Sequence, residues 1–64
     1  MLGDQVKDRR VALELTQAEL ADLSGVSERF VRLVESGKQS VRMDKVDAVL
    51  DALGLELRAV LRTP

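Results

Sequence analysis

The side chains in this sequence that are best suited to chemistry are cations between residues 28 and 45. That segment carries five basic and three acidic residues, although the whole chain has a net charge of −1. Arginine presents a planar set of donors that matches phosphates and other planar acceptors, and lysine binds phosphates as a point charge. The segment therefore predicts a surface that binds anions, with solvated surface arginines as the alternative interpretation.

The sequence contains no pattern typical of catalysis or of metal binding. It has no cysteine and no histidine, which removes disulfides and the usual zinc ligand sets. Asp44, Asp47 and Asp51 form an acidic stripe at helical spacing, which we interpret as a solvated face or a contact for a basic partner protein. Since no nucleophile with a base and no phosphate loop is present, we expect neither enzymatic activity nor a cofactor.

The length of 64 residues limits what the chain can build. A chain this short buries only roughly 60% of its unfolded surface, so extra stability must come from helix packing or a partner subunit. Residues 1–5 include an early charge, and no apolar run there is long enough for a signal peptide or a membrane span. We expect one domain over residues 1–64, dimeric, cytoplasmic and without membrane contact.

Helical spacing and capping residues predict two helices in the first part of the chain. The first has Asp4 as its N-cap and continues to residue 13 or 14, with Arg10 on its apolar stripe. That stripe consists of Leu2, Val6 and Leu13. A capping box between Thr16 and Glu19 begins the second helix, over residues 17–23.

Two more helices are predicted after Gly25. Ser27 is a good N-cap for a third helix over residues 28–36, which ends at Gly37. A fourth helix is closed by Gly54. Its apolar face is formed by Met43, Val46, Val49, Leu50 and Leu53.

The spacing of apolar residues changes from helical to alternating after Gly54. Apolar residues alternate with mostly charged ones over residues 55–61, which predicts a half-buried β-strand. The apolar positions are Leu55, Leu57, Ala59 and Leu61. A strand is unstable without a neighbour, and every other predicted element is helical. We therefore expect it to pair with its own copy in a second subunit, as an antiparallel ribbon across a twofold axis.

The segment from residue 17 to 36 has the organisation of a DNA-binding unit. Two short helices joined by a glycine-containing turn form the helix-turn-helix, whose second helix enters the major groove. Ala21 lies where the helices cross closely, and Gly25 lies in the turn. Inward-facing apolar residues fix the crossing angle: Leu20, Val26, Val31 and Val34.

The stretch LTQAELADLSGVSERFVRLVESGK resembles the helix-turn-helix of the Cro/phage-repressor superfamily, also called the XRE family, and the likeness extends over about residues 3–54. Within it, SERFV…VESGK…VRMDKVDAVLDALGLEL is similar to HipB-like antitoxins. The resemblance implies an all-α, compact four-helix, lambda-repressor-like domain with a C-terminal β-strand that pairs across a dimer. It also implies an inverted-repeat operator in double-stranded DNA and, for HipB-like chains, a HipA-like kinase toxin as partner.

The resemblance implies a role for individual residues of this chain. Gln17 would bind a phosphate. Base edges or adjacent phosphates would be contacted by Ser27, Glu28, Arg29 and Arg32. The DNA backbone on the far side would be held by Lys38, Ser40 and Arg42. Two positions depart from the family pattern: Glu14 stands where a glycine is common, and Leu33 stands where a polar residue is common, so that Leu33 would touch thymine methyl groups or a neighbouring helix.

Three further positions have structural interpretations. Arg10 and Glu35 lie on the apolar stripes of their helices, and buried charges are normally paired, so we expect an internal Arg10–Glu35 ion pair. Phe30 is the only aromatic residue, and we expect it to serve packing in preference to a thymine contact.

These observations favour a dimeric transcriptional repressor, in the setting of a HipBA-like toxin–antitoxin pair that represses its own operon. A stand-alone phage or plasmid repressor is the near alternative. A helical module that binds only protein is the rival from a different class, and the acidic balance of the chain is the argument for it.

Overall fold

The computed structural model describes residues 2–38 and 40–58. It contains four helices: α1 (Leu2–Ala12), α2 (Gln17–Ser24), α3 (Glu28–Glu35) and α4 (Met43–Ala52). The prediction of four helices is confirmed, and the predicted starts of α2 and α3 agree with the structure. Among the residues described, no helix has the length and apolarity required to cross a membrane.

The first helix begins earlier than its sequence predicts. It starts at Leu2, so Asp4 lies in the first turn and the assignment of Asp4 as N-cap was wrong. A carboxylate in the first turn is still favourable, because it faces the positive end of the helix dipole. The helix ends at Ala12, and Leu13, expected on its apolar face, is 42% exposed.

A close contact between α1 and α3 explains the early start. Gly3 is buried, and a Cβ atom at Gly3 would lie 2.6 Å from the carbonyl oxygen of Val34 and 2.8 Å from that of Glu35. The first turn of α1 therefore rests directly on the backbone at the end of α3. Only a residue without a side chain permits this approach.

The core is formed by one apolar face from each helix. α2 packs against both α3 and α4, and α1 packs against α3. The buried side chains are Val6, Leu20, Ala21, Val31, Val34, Val46, Val49, Leu50 and Leu53. Met43 was expected on the apolar face of α4, but its position at the first residue of that helix leaves it 51% exposed.

The C-terminal segment differs from the prediction where it is described. Residues 55–58 have no regular secondary structure, which follows from the absence of a neighbouring strand in a single chain. Leu55 packs against the core, whereas Leu57 is 51% exposed. Ala59 and Leu61, which complete the predicted strand, lie outside the described residues.

Each of the four helices is followed by a residue with positive φ. Three of these residues are glycines, whereas the residue after α1 is Glu14, with a φ of 58°. The amide of Glu14 donates to the Val11 carbonyl at 2.9 Å, and that of Leu15 donates to the Arg10 carbonyl at 3.1 Å. This is the Schellman arrangement, which strongly favours glycine at the left-handed position. Glu14 therefore holds a strained conformation.

An ion pair between Arg10 and Glu35 connects α1 to α3. Arg10 Nε lies 2.6 Å from Glu35 Oε2, and Arg10 Nη2 donates to Oε1 at 3.1 Å. Arg10 Nη1 also donates to the Leu15 carbonyl at 2.8 Å. The side chains are only 12% and 5% exposed, so one guanidinium connects two helices and the turn that precedes α2.

The pKa of Glu35 is lower than its ordinary value. Burial alone would raise it, but hydrogen bonds from Arg10 and Gln17 and the positive charges of Arg10 and Lys7 outweigh burial. A pKa that is depressed in the folded state means that the ion pair stabilises the protein fully above the unfolded pKa. This stability is lost as the pH falls through the folded pKa.

Replacing Glu14 with glycine should stabilise the fold, because glycine adopts the left-handed conformation without strain. We expect the Glu14→Gly variant to gain about 0.5–1 kcal/mol, after the larger entropy of glycine in the unfolded chain is subtracted. Thermal unfolding should show a Tm higher by roughly 2–8 °C. Glu14→Gln is the matched control, since it removes the charge but keeps the Cβ atom. An equal gain in both variants would show that charge, not backbone strain, is responsible.

Replacing Glu35 with alanine should destabilise the protein strongly, because Arg10 would keep its charge in a largely buried place. We expect a loss of about 3 kcal/mol in the free energy of unfolding. Glu56→Ala is the control, since the Glu56–Arg58 pair is 68% and 76% exposed and exposed pairs contribute little. An unchanged Tm for Glu35→Ala would refute this role of the pair.

The same pair predicts a pH dependence. Stability of the parent protein should fall as the pH drops below 4.5, the ordinary pKa of the Glu35 carboxyl, because protonation breaks the ion pair. A Glu35→Gln variant should be less stable than the parent protein at neutral pH, and it should lose less stability on acidification. Urea unfolding at a series of pH values measures both. Parallel curves for the two proteins would contradict the assignment.

Candidate nucleic-acid interface

The α2–turn–α3 unit is held by local caps at both helix starts. In the capping box, the Glu19 amide donates to Thr16 Oγ1 at 3.0 Å, and the Thr16 amide donates to Glu19 Oε1 at 2.8 Å. Ser27 Oγ accepts from the Phe30 amide at 3.0 Å. Between these caps, Gly25 has a φ of 72°, which reverses the chain. These caps fix the residues at which α2 and α3 begin, and Gly25 fixes the end of α2.

Burial within this unit sets the direction in which α3 faces. Ala21 is 4% exposed on α2, and Val31 and Val34 are buried on α3. The exposed residues at the start of the unit's second helix are Ser27, Glu28, Arg29 and Arg32. The structure thus brings together, on one solvent-facing side, the four residues expected to face DNA bases.

The arginines on this face differ in whether they have an ion-pair partner. Arg32 Nη1 lies 3.4 Å from Glu28 Oε1, one turn earlier, with both side chains about half exposed. Arg29 is exposed and has no ion-pair partner among the residues described. Arg29 is therefore the cation of this face that is most available to an external acceptor.

A groove between α1, α2 and α3 borders the same face. Its lining residues are Lys7, Arg10, Gln17, Arg32, Glu35 and Ser36. Gln17 Nε2 donates to Glu35 Oε1 at 3.1 Å, so the amide expected to bind phosphate is tied to the buried ion pair. This contact fixes the side chain of Gln17 relative to α3.

Sequence analysis missed Lys7, which is exposed and lines this groove. Lys7 lies three residues before Arg10 on α1, and residues three apart are neighbours on a helix surface. That spacing is the signal that could have identified it. Its positive charge helps to lower the pKa of Glu35.

The connection between α3 and α4 carries the other predicted contacts. Lys38, Ser40 and Arg42 are all exposed. Arg42 binds Asp44 through two hydrogen bonds, Nε–Oδ1 at 3.1 Å and Nη2–Oδ2 at 2.7 Å. These bonds from Arg42 lower the pKa of the Asp44 carboxyl. Lys38 makes no ion pair among the residues that the structure describes, whereas Arg42 already has an anionic partner.

Phe30 and the acidic stripe occupy other surfaces. Phe30 is half-buried and packs against the core, with Lys45 Nζ 5.8 Å from the ring centroid. Asp44, Asp47 and Asp51 lie with Glu56 along a groove beside α4, whose apolar lining includes Leu55. In the part of the chain that the structure describes, no group of three or more His, Cys, Asp or Glu residues is arranged to hold a metal ion.

The family of the chain is shown by comparison with models of known protein families. Residues 6–60 match the model described as Helix-turn-helix. The match includes α2, α3 and α4 completely and most of α1. It therefore covers both the capped two-helix unit and the helices that support it. On this evidence the chain belongs to the helix-turn-helix family of the Cro/repressor type, which comprises DNA-binding transcription regulators.

Proposed function

We propose that this chain is a sequence-specific repressor that binds an inverted-repeat operator as a homodimer of single-domain subunits, residues 1–64. The observation that supports this most directly is the exposed side of α3, which carries Arg29 and Arg32 on a helix anchored from behind by buried Val31 and Val34. An α-helix fits the major groove of B-DNA, where base edges differ in their donors and acceptors.

The first turn of α3 supplies the base contacts in this proposal. Arg29 donates two parallel hydrogen bonds to a guanine, the pairing for which arginine is best suited. Glu28 accepts from a cytosine amine, and Arg32 stays bound to Glu28 or moves to a neighbouring phosphate. Ser27 already accepts a hydrogen bond from α3, which leaves its hydroxyl hydrogen for the DNA.

Phosphate contacts flank these residues. Gln17 uses the second hydrogen of its amide, since Nε2 donates the other to Glu35. Lys38 and Ser40 hold the DNA backbone at the far end of α3. Arg42 joins them by exchanging Asp44 for a phosphate, and this exchange makes its contribution smaller than that of Lys38.

Dimerisation uses the segment 55–61, with Leu55, Leu57, Ala59 and Leu61 on the inner face of a two-stranded ribbon. The exposed side chain of Leu57 supports this proposal, because pairing would bury it. The twofold axis would separate the two copies of α3 by about one turn of DNA, roughly 34 Å. A dimer bound in this way represses by occupying a promoter and excluding RNA polymerase.

The biological setting that we propose is a toxin–antitoxin pair. The similarity of residues 27–57 to HipB-like antitoxins supports it, and the acidic groove beside α4 offers a surface for a basic partner. Co-purification from cells with a kinase-like protein is the test. Operator binding without any such partner in pull-downs would identify a stand-alone phage-type or plasmid-type repressor.

Selection of bound duplexes from a random library, at low and at physiological salt, tests the DNA-binding proposal. We expect enrichment of one inverted repeat. If no sequence is enriched at either salt concentration, the rival function, a helical module that binds only protein, replaces this one.

Two single-charge removals should separate base reading from phosphate binding. Arg29→Ala should cost roughly 1–3 kcal/mol on the selected operator and relax the preference at one base pair of each half-site. Lys38→Ala should weaken selected and scrambled duplexes alike and reduce the salt dependence by about one counterion. Titration of both duplexes at several salt concentrations measures these effects. An Arg29→Ala variant with unchanged affinity for both duplexes would remove Arg29 from the base-contacting set.

A charge placed at Leu57 should prevent dimerisation, because each subunit would bring an unpaired carboxylate onto the apolar face of the ribbon. Leu57→Asp should sediment as a monomer at concentrations where the parent protein is dimeric, and it should lose affinity for the inverted repeat. Leu23→Asp is the matched control, since Leu23 is 64% exposed on α2. Dimers of equal stability in both variants would place the interface elsewhere.

A further inference from the structure

Leu33 occupies an unusual place for an apolar residue. It is half-buried on α3. Among the residues described, Phe30 and several other half-buried apolar side chains pack against the core, but Leu33 is not one of them. Its remaining apolar surface faces solvent beside charged residues. Contact with the buried core therefore does not account for a leucine at this position.

The geometry of α3 places Leu33 on the face proposed to enter the groove. Successive residues of an α-helix are about 100° apart. Leu33, four residues after Arg29, is therefore only about 40° from it around the helix axis. Val31 and Val34 are buried on the other side. Leu33 thus lies one turn beyond Arg29, at the edge of the outward face between Arg29 and Phe30, and directly after Arg32.

The major groove offers few partners for such a side chain. Base edges there present hydrogen-bond donors and acceptors, and the C5-methyl group of thymine is the apolar feature that distinguishes one base from another. A leucine packed against a donor or acceptor would remove it from water without a replacement hydrogen bond, which is costly. A leucine packed against a methyl group gains free energy from both apolar surfaces.

We propose that Leu33 determines specificity by contacting the C5-methyl group of a thymine in each half-site, next to the base pair contacted by Arg29. This inference rests on the proposed function and adds one position to the recognition sequence. It also assigns the chemistry of that position to a methyl group rather than to a hydrogen bond.

Single thymine-to-uracil replacements in the selected operator test the inference. Uracil lacks only the methyl group and keeps every donor and acceptor, so a change in affinity reports the methyl contact alone. With the parent protein, we expect one symmetric pair of positions at which replacement weakens binding about fourfold per half-site, the factor that corresponds to burial of one methyl group.

The Leu33→Ala variant should bind the thymine and uracil operators equally well. Leu33→Asn, which is similar in size but polar, should give the same result, and thermal unfolding verifies that both variants are folded. Leu23→Ala is the control, because it shortens an exposed leucine on α2 and should leave the fourfold difference intact.

Three outcomes overturn the inference. Uracil could have no effect at any position, or its effect could persist unchanged in both Leu33 variants. In either case the selected operator would still establish sequence-specific binding, so the proposed function would stand. Enrichment of no operator would refute both proposals together.

Discussion

An ion pair that is largely shielded from water holds the third helix in place. α3 has eight residues, and an isolated helix of that length is not stable in water. Arg10 and Glu35 join its last residue to α1, and the same guanidinium holds the Leu15 carbonyl just before α2 begins. The orientation of α3 therefore depends on charge pairing as much as on the valines beneath it. Gln17 extends this network to the surface proposed to meet DNA.

Two arginines of the surface proposed to bind DNA are already paired with carboxylates of the same chain, which affects how this surface would bind DNA. Arg32 is paired with Glu28, and Arg42 with Asp44, so each must loosen an internal contact before it can gain an external one. The net charge of −1 also provides little long-range attraction. Affinity must then arise from a small number of short-range contacts. In the proposed complex, such a surface would discriminate between sequences and would bind unrelated DNA weakly.

Most of the fold follows from local sequence signals, and the exceptions have physical causes. The Thr16–Glu19 capping box and Ser27 fix the starts of α2 and α3, because a cap is decided by residues that are adjacent in the chain. The Arg10–Glu35 pair follows from two charges on apolar stripes. By contrast, the early start of α1 depends on Gly3 resting against α3, a contact between segments about thirty residues apart that no local pattern encodes. The C-terminal strand was predicted from alternation alone, and alternation cannot supply the neighbour that a strand requires.

Two adjacent residues in the last turn of α1 tie this helix to two different parts of the molecule. Besides the contact of Arg10 with α3, Arg9 Nε donates to the carbonyl oxygen of Leu53, where α4 terminates, at 2.9 Å. Only one of the buried apolar side chains, Val6, belongs to this helix. Detachment of α1 would therefore uncover little of the core but would break both anchors at once. The susceptibility of the folded protein to proteolysis would then depend on how often this one helix detaches.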